Sequence, residues 1–349
     1  MLFGPKNLIG LDIGTSAIKM VSMEEIKGDY KLKNFGIAKL PKETIVNGVI
    51  INSEPIINSI KALISSLKID NNNAAISVSG HPVIIKKITI PMMSEEELDA
   101  NIESEVEQYI PFDLDEVNID FQILQVNPEQ TDHIDVMLVA AKKQMIEEYS
   151  DILKAAGIKP LVADIDVFAL ENMFNLNYSL EEDAIVALID IGASITNINI
   201  IKNETSVFNR DIFLGGNQIT ENIQKDLSVS FEEAEALKTG TQIEGISPEV
   251  IDEQIQKSAS LIAREIKRTL DFYTGSNYNE ITNIFLSGGG SKTKNLNETI
   301  KEQTNSEVEF TDPFKTIKYD KKTFDTEYIK EISVLSSIGV GLATRKLGD

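Results

Sequence analysis

Residues 8–21 read LIGLDIGTSAIKMV, and residues 186–199 read VALIDIGASITNIN. Each copy is an apolar run that ends in Asp-Ile-Gly, passes through two small residues and returns as a second run with alternating apolar positions. That is the pattern of a β-hairpin closed by a glycine-bearing turn. A third related stretch, NIFLSGGGSKTKNL at 283–296, is an apolar strand that breaks into three glycines and then starts a helix. Two hairpins of one design, so far apart in the chain, predict two similar α/β halves facing each other across a cleft.

The turns carry the chemistry. Small residues after each aspartate (Gly14, then Gly192 and Ala193) let backbone amides approach a phosphate closely, and Thr15, Ser16 and Ser194 add hydroxyl donors. Asp12 and Asp190 fall at strand ends, where they are placed to hold the hydration shell of a Mg²⁺ that neutralises those phosphates. Lys19, on the returning strand, reaches back as a point charge. Taken singly, an Asp-Ile-Gly-Thr is an ordinary hairpin turn. Two copies together with the strand–Gly288–Gly289–Gly290–helix element point to a nucleotide cleft. Neither G-x-x-x-x-G-K-[ST] nor G-x-G-x-x-G occurs, so P-loop and Rossmann readings have no support.

Composition narrows the classes further. The 349 residues suggest two to three domains, and 42% apolar with 25% charged residues is an ordinary globular balance. A net charge of -22 argues against an extended nucleic-acid surface, though not against a single nucleotide. Zero cysteines remove thiolate catalysis, iron–sulfur clusters, zinc ribbons and disulfides, which fits a reducing compartment. Two histidines leave little room for a His-based triad or a multi-His metal site, and His81, in SGHPV, reads as a turn residue facing solvent. The first ten residues are too short and polar for a signal-peptide core, and no run of about 20 apolar residues exists.

With these motifs in this order the chain resembles the actin-like ATPase superfamily, whose members include actin, heat-shock chaperones, sugar kinases, MreB and FtsA. The resemblance implies an α/β fold of two duplicated ribonuclease-H-like halves around a nucleotide cleft. It makes the two hairpins the phosphate-1 and phosphate-2 elements, the glycine stretch the adenosine motif, and Lys19 a phosphate contact. It also reads Glu235 and Lys238, in AEALK, as facing ribose and adenine; the alternative is a solvated i,i+3 pair on a helix. Asp166, in ADIDVFALENMF, falls near the residue that orients the attacking water in such ATPases. Asp164 and Asp166 read equally well as helix N-caps.

Between the hairpins the pattern departs from actin. A strand at 83–90 ends at Pro91, and Ser94 with Glu97 makes a capping box for a helix over 94–110. Leu98, Ile102, Val106 and Ile110 form its apolar stripe, while Glu95, Glu96, Asp99, Glu103, Glu105 and Glu107 crowd the rest. Strands near 117–124 and 135–141 and a helix over 142–156, stopped by Gly157, complete a small inserted α/β subdomain of the FtsA type. The stretch EQYIPFDLDEVNIDFQIL, with GLDIGTSAIK, LIDIGAS, LGGNQIT and LSGGGS, resembles the PilM family of type IV pilus assembly proteins, over essentially the whole chain. That resemblance brings Gly215 and Gly216 to the nucleotide side.

The resemblance implies an ATP-binding cytoplasmic scaffold with Mg²⁺ as cofactor and at most slow ATPase activity. It implies recruitment to the inner face of the cytoplasmic membrane by the N-terminal tail of PilN, which in the family lies in a groove between the insert and the lower core. The candidate surface for the tail is the strand at 83–90 with the acidic helix at 94–110, flanked by Lys86 and Lys87. Contact with other platform components and self-association stay open. The helix over 331–347, with Gly339 and Gly341, reads as a domain-closing core helix more than a basic membrane anchor. An FtsA-like division protein is the alternative, disfavoured by length. A sugar kinase is the other; residues 20–39 offer no cluster of sugar-binding side chains for it. The expected layout is a lower core at 1–82, 158–183 and 327–349, the insert at 83–157, and an upper half at 184–326 with a helical tip around 222–275.

Overall fold

The computed structural model describes residues 7–46, 48–127, 129–277 and 280–347, so the extreme ends of the expected lower core lie outside the described residues. β1 (Ile9–Ile13) and β2 (Ala17–Ile26) form the first hairpin, and β3 (Asp29–Lys39) continues it antiparallel. The short strands β4 (Ile45–Val46) and β5 (Val49–Ile50) lead into α1 (Ser53–Leu67), whose cap Asn52 accepts from the Glu54 N–H. β6 (Asn73–Val78) then adds parallel to β1.

Next comes the insert: β7 (Val83–Pro91), α2 (Glu95–Val106), β8 (Val117–Val126) and β9 (His133–Lys142). Its sheet has the order β7–β9–β8, and α2 covers one face with Leu98 and Val106. The capping box at Ser94 and Glu97 is formed. The helix is shorter than the expected 94–110, because its last turn tightens to a 3-10 turn at Glu107–Tyr109 before Pro111. The module expected at 83–157 divides in the structure. α3 (Lys143–Ala155) buries Met145, Tyr149, Ile152 and Leu153 among Ile56, Ile60 and Ile76 of the lower core. α2 already completes the insert's own core, so the stripe on α3 serves the lower sheet, and the insert ends near Lys142.

β10 (Lys159–Ile165) joins the far side of β6, and α4 (Asp166–Asn177) follows it directly. The upper half comprises β11 (Ile185–Ile191), β12 (Thr196–Lys202), β13 (Thr205–Ile212), α5 (Gly216–Leu227), α6 (Phe231–Lys238), α7 (Pro248–Asn277), β14 (Asn283–Ser287), α8 (Leu296–Thr304) and β15 (Glu307–Phe310). The two five-stranded sheets run β3–β2–β1–β6–β10 and β13–β12–β11–β14–β15. Position for position they are the same arrangement: an antiparallel three-strand meander extended by two parallel strands. The duplication read in the hairpins therefore covers the whole of each sheet.

The stretch after β15 was expected with the upper half, but it pairs with the lower one. The Leu32 N–H donates to Lys318 O at 2.8 Å, and the Lys318 N–H donates to Tyr30 O at 3.0 Å. The chain closes with α9 (Thr326–Ala343), whose buried Val334, Ile338 and Leu342 make it a core helix; burying each such side chain contributes about 1.5–3 kcal/mol.

One buried charge in the insert carries a pH dependence. Asp135 is 1% exposed and accepts from Lys87 (2.9 Å), Thr89 (2.9 Å), Asn127 (2.7 Å) and Gln125 (3.3 Å). Burial alone would raise its pKa, yet these four donors together hold it down to about 2. Because the folded-state value is depressed, the stabilisation is fully present above pH 4 and is lost as pH falls from about 4 to about 2. It amounts to about 2 kcal/mol. Acid titration of Asp135→Asn, followed by circular dichroism, should lack this component; the same acid-induced loss of stability as the wild type would refute the assignment.

Candidate functional site

Asp12 and Lys19 are direct cross-strand partners on β1 and β2, with Lys19 Nζ 3.0 Å from Asp12 Oδ2. Across the cleft, Asp190 near the end of β11 stands beside Ser287 of β14, whose Oγ donates to Asp190 Oδ1 at 2.8 Å. Asp166 opens α4 between them. Its neighbour Ile165 occupies the cap position without a side-chain bond, so Asp166 is not a cap; its carboxyl is instead held by Ser77 and Ser79. Asp164 is no cap either. Arg345 Nε and Nη2 grip it at 2.6 and 2.9 Å, tying the end of α9 to β10.

Three carboxylates and one lysine thus share a desolvated floor. Burial, reinforced by the charge of Asp12, pushes Asp166 up to about 7 against the opposing bonds from Ser77 and Ser79. Burial likewise raises Asp190 to about 6, although Ser287 and Lys19 pull the other way. For Lys19 burial acts downward, but Asp12, with Asp190 and Asp166 behind it, leaves its pKa raised. The floor is overloaded with negative charge for a single lysine, an arrangement that gains from an additional cation.

The walls are the two hairpin turns. Gly14 N–H donates to Ala17 O at 3.1 Å and Gly192 N–H to Ile195 O at 2.9 Å, the same i to i+3 closure twice. The first turn of α5 is fastened to the second hairpin, with Gly216 N–H on Gly192 O (2.9 Å) and Asn217 N–H on Ala193 O (2.7 Å). The resulting cleft of 430 Å³ is lined by Asp12, Ser16 and Lys19 from one half. Asp190, Gly192, Ala193, Gly216, Glu235, Lys238, Gly288, Gly289 and Gly290 line it from the other. It continues into a 90 Å³ chamber at Gly14, Thr15, Ser194 and Asp166. Gly215 does not face the cleft: a Cβ there would sit 2.6 Å from Gly192 O, so this glycine serves the close approach of two backbone segments. Glu235 and Lys238 form the i,i+3 ion pair, at 2.6 Å, and both line the cleft.

The three glycines after β14 have different jobs. Gly288 has φ +81°, and a Cβ on it would meet Ile191 O at 2.4 Å; one on Gly290 would meet Ile191 Cγ2 at 2.7 Å. Those two hold the glycine element against the second hairpin. Gly289 is exposed to the cleft, and a Cβ there would meet only Leu335 Cδ2, at 3.3 Å. Gly289→Val should therefore fold and melt like the wild type while losing ATP binding, whereas Gly290→Val should lose its fold. Calorimetry with ATP beside thermal melting checks both; normal ATP binding by Gly289→Val would move the nucleotide elsewhere.

Residue-type reasoning missed Ser77, Ser79, Tyr149, Ser287, Asn217, Lys292 and Lys294, which also line the cleft or its chamber or bond its aspartates. A signal existed for two of them. Continuing the register Leu11↔Ile76 puts Ser77 beside Asp12, as Asp190↔Ser287 puts Ser287 beside Asp190. His81, read as solvent-facing, is exposed but stacks on Phe213 of the upper half at 4.0 Å.

A family model described as type IV pilus assembly protein PilM matches residues 10–347. Among solved structures, a PilM–PilN type IV pilus biogenesis complex superposes with a TM-score of 0.88 at 25% identity, covering 99% of this chain and 100% of that one. MreB5 of Spiroplasma citri bound to AMPPNP superposes at 0.54 with 14% identity, over 96% of this chain and 94% of its own; it shares the fold. The cell division protein FtsA of Bacillus subtilis (strain 168) is 26% identical over 257 residues, 66% of this chain and 57% of its own length. The chain thus spans a little over half the length of the curated relatives it matches.

Proposed function

Because the chain belongs to the PilM family of type IV pilus assembly proteins, we propose that it is an ATP-binding actin-like scaffold held at a membrane by a partner's tail. The observation that carries the nucleotide reading is two matching hairpin turns on opposite walls of one 430 Å³ cleft. A triphosphate there would take backbone amides and hydroxyls from Thr15, Ser16 and Ser194, with Lys19 as the cation and Glu235 and Lys238 toward the nucleoside. Among the described residues no three His, Cys, Asp or Glu side chains form a direct metal cage. Asp12 and Asp190 are hard oxygen donors on facing strands, which suits Mg²⁺ held through water. The ion, when bound, supplies the positive charge that this carboxylate-rich floor lacks.

The 90 Å³ chamber behind the phosphate turns has room for water beside Asp166. That suits hydrolysis, at most slow. With its pKa near 7, Asp166 is partly ionised at neutral pH and in that form accepts a hydrogen bond from a water.

For the tail, the favoured surface is a 740 Å³ groove between the insert and the lower core. Its roof is Asp120, Gln122, Met137 and Val139; its floor is 162–165 of β10 with Phe168 and Glu171 of α4. β8 and β10 are both sheet edges, so an extended peptide can add main-chain hydrogen bonds there, and Glu95, Asp120 and Glu171 suit a basic residue. The outer face of α2 is the weaker candidate. Lys87 is already paired with Asp135 at 2.9 Å, and Lys86 Nζ sits 5.1 Å from the Tyr109 ring centroid. Among the described residues no helix is long and apolar enough to cross a membrane, and the proposal puts membrane attachment in the partner.

Fluorescence polarisation with a PilN-like N-terminal peptide tests this. Asp120→Lys should weaken the peptide about tenfold or more, and replacing Glu103 and Glu107 by lysine should not. The opposite ranking would return the tail to α2, and no binding by the unmodified protein would count against the scaffold itself.

A further inference from the structure

The insert sheet has two free edges. β8 borders the groove just described; β7 borders a second groove, of 420 Å³, whose far wall is β13 of the upper half. β13 is itself the edge of its sheet. Among the described residues, Ile84 and Ile85 of β7 have backbone partners only in β9, and Asn209, Arg210 and Asp211 of β13 only in β12. Two unpaired strand edges therefore face one hollow.

Its lining is apolar, with Arg210 and Asp211 as its charged residues. Ile84, Ile85 and Phe112 form one side, and Phe213, 39% exposed, closes an end by stacking on His81. Arg210 lines the groove, is exposed, and takes part in no ion pair among the described residues. Lys142 Nζ rests 4.7 Å from the Phe112 ring centroid, a cation–π contact. The acid in the lining, Asp211, is already engaged, accepting from Gly80 N–H at 3.0 Å and Asn197 Nδ2 at 2.7 Å. An exposed arginine without an ion pair among the described residues, beside exposed aromatic surface, is conspicuous in a chain with net charge -22. In the other groove four carboxylates, Glu95, Asp120, Asp164 and Glu171, outnumber the single Arg345, whereas here one exposed arginine stands beside one hydrogen-bonded aspartate.

We propose that this second groove docks an extended segment of a partner protein that carries a carboxylate beside a bulky apolar side chain. The segment's main chain adds to the free edge of β7, which is how exposed edges recruit strands. The apolar side chain fills the space between Phe112 and Phe213. The carboxylate meets the guanidinium of Arg210, whose planar fork binds such a group in two bonds. The surface is separate from the ATP cleft and from the tail groove, so it gives the scaffold a second protein contact.

The probes are two labelled, acetylated hexapeptides, one alternating glutamate with valine and phenylalanine, the other carrying lysine in place of glutamate. In fluorescence polarisation the acidic peptide should bind and the lysine peptide should not. Arg210→Glu should weaken the acidic peptide about tenfold or more while leaving ATP and the PilN-like peptide at wild-type affinity, which separates this surface from the other two sites. Hydrogen exchange should show Ile85, whose N–H lies on the free side of β7, protected by the acidic peptide. Equal binding of both peptides, unchanged affinity in Arg210→Glu, no binding of the acidic peptide, or no protection along β7 would each overturn the proposal.

Discussion

Asp12→Ala and Asp190→Ala are each expected to weaken Mg-ATP binding by about 10- to 100-fold. Either change removes one of the two oxygen anchors proposed for the ion and leaves the other in place. Neither should unfold the chain. In Asp12→Ala the Lys19 ammonium still feels Asp190 and Asp166, so its charge is not stranded. In Asp190→Ala the residue lost is the acceptor of one hydroxyl, that of Ser287. Asp12→Ala has a second readout. After burial, the charge of Asp12 is the largest influence holding Asp166 up to about 7, so its removal should shift the Asp166 titration toward lower pH. Calorimetry with ATP and Mg²⁺ measures the first effect and carboxyl chemical shifts the second. Wild-type ATP affinity in both variants would remove the cleft from consideration as the nucleotide site.

Among the described glycines, Gly341→Ala should be the most damaging addition of a methyl group. A Cβ at that position would lie 1.7 Å from Ala169 O, so α4 and α9 touch there backbone to backbone. Gly10 repeats the motif one layer away, where a Cβ would lie 2.0 Å from Gly339 O. No side-chain rotation relieves a clash with a carbonyl; the helices must separate, and the packing of Val340 and Leu342 goes with them. We expect a loss of at least about 3 kcal/mol, seen as a fall of roughly 6–12 °C in the melting midpoint. Gly275→Ala, on α7 with open space around its Cβ, is the control and should melt at or above the wild-type temperature. A Gly341→Ala variant that melts like the wild type would mean that the two helices do not pack as described.

The hairpins were legible because their information is local. An aspartate, a glycine turn and alternating apolar residues determine a two-strand ladder whose register then places Lys19 opposite Asp12 without help from the rest of the chain. The capping box of α2 and the glycine stop after α3 are likewise short-range signals, and both formed. The repeat carried this further, since two copies of a local pattern imply two copies of the sheet that each must join. What residue types could not convey was where each apolar stripe would find its partner. The stripe on α3 looks the same whether it covers the insert or the lower core. Only the prior occupation of the insert's face by α2 decides the matter. Arg345 and Asp164 stand 181 positions apart, and no spacing rule links them. The pKa of Asp166 and both grooves of the insert depend on which strands end up as sheet edges and which carboxylates share a floor. By itself the sequence determined the two glycine-bearing hairpin turns and the duplication that sets them opposite each other. The tertiary structure decided burial, charge crowding and free edges, because these are properties of surfaces brought together by the order of strands and not of any segment alone.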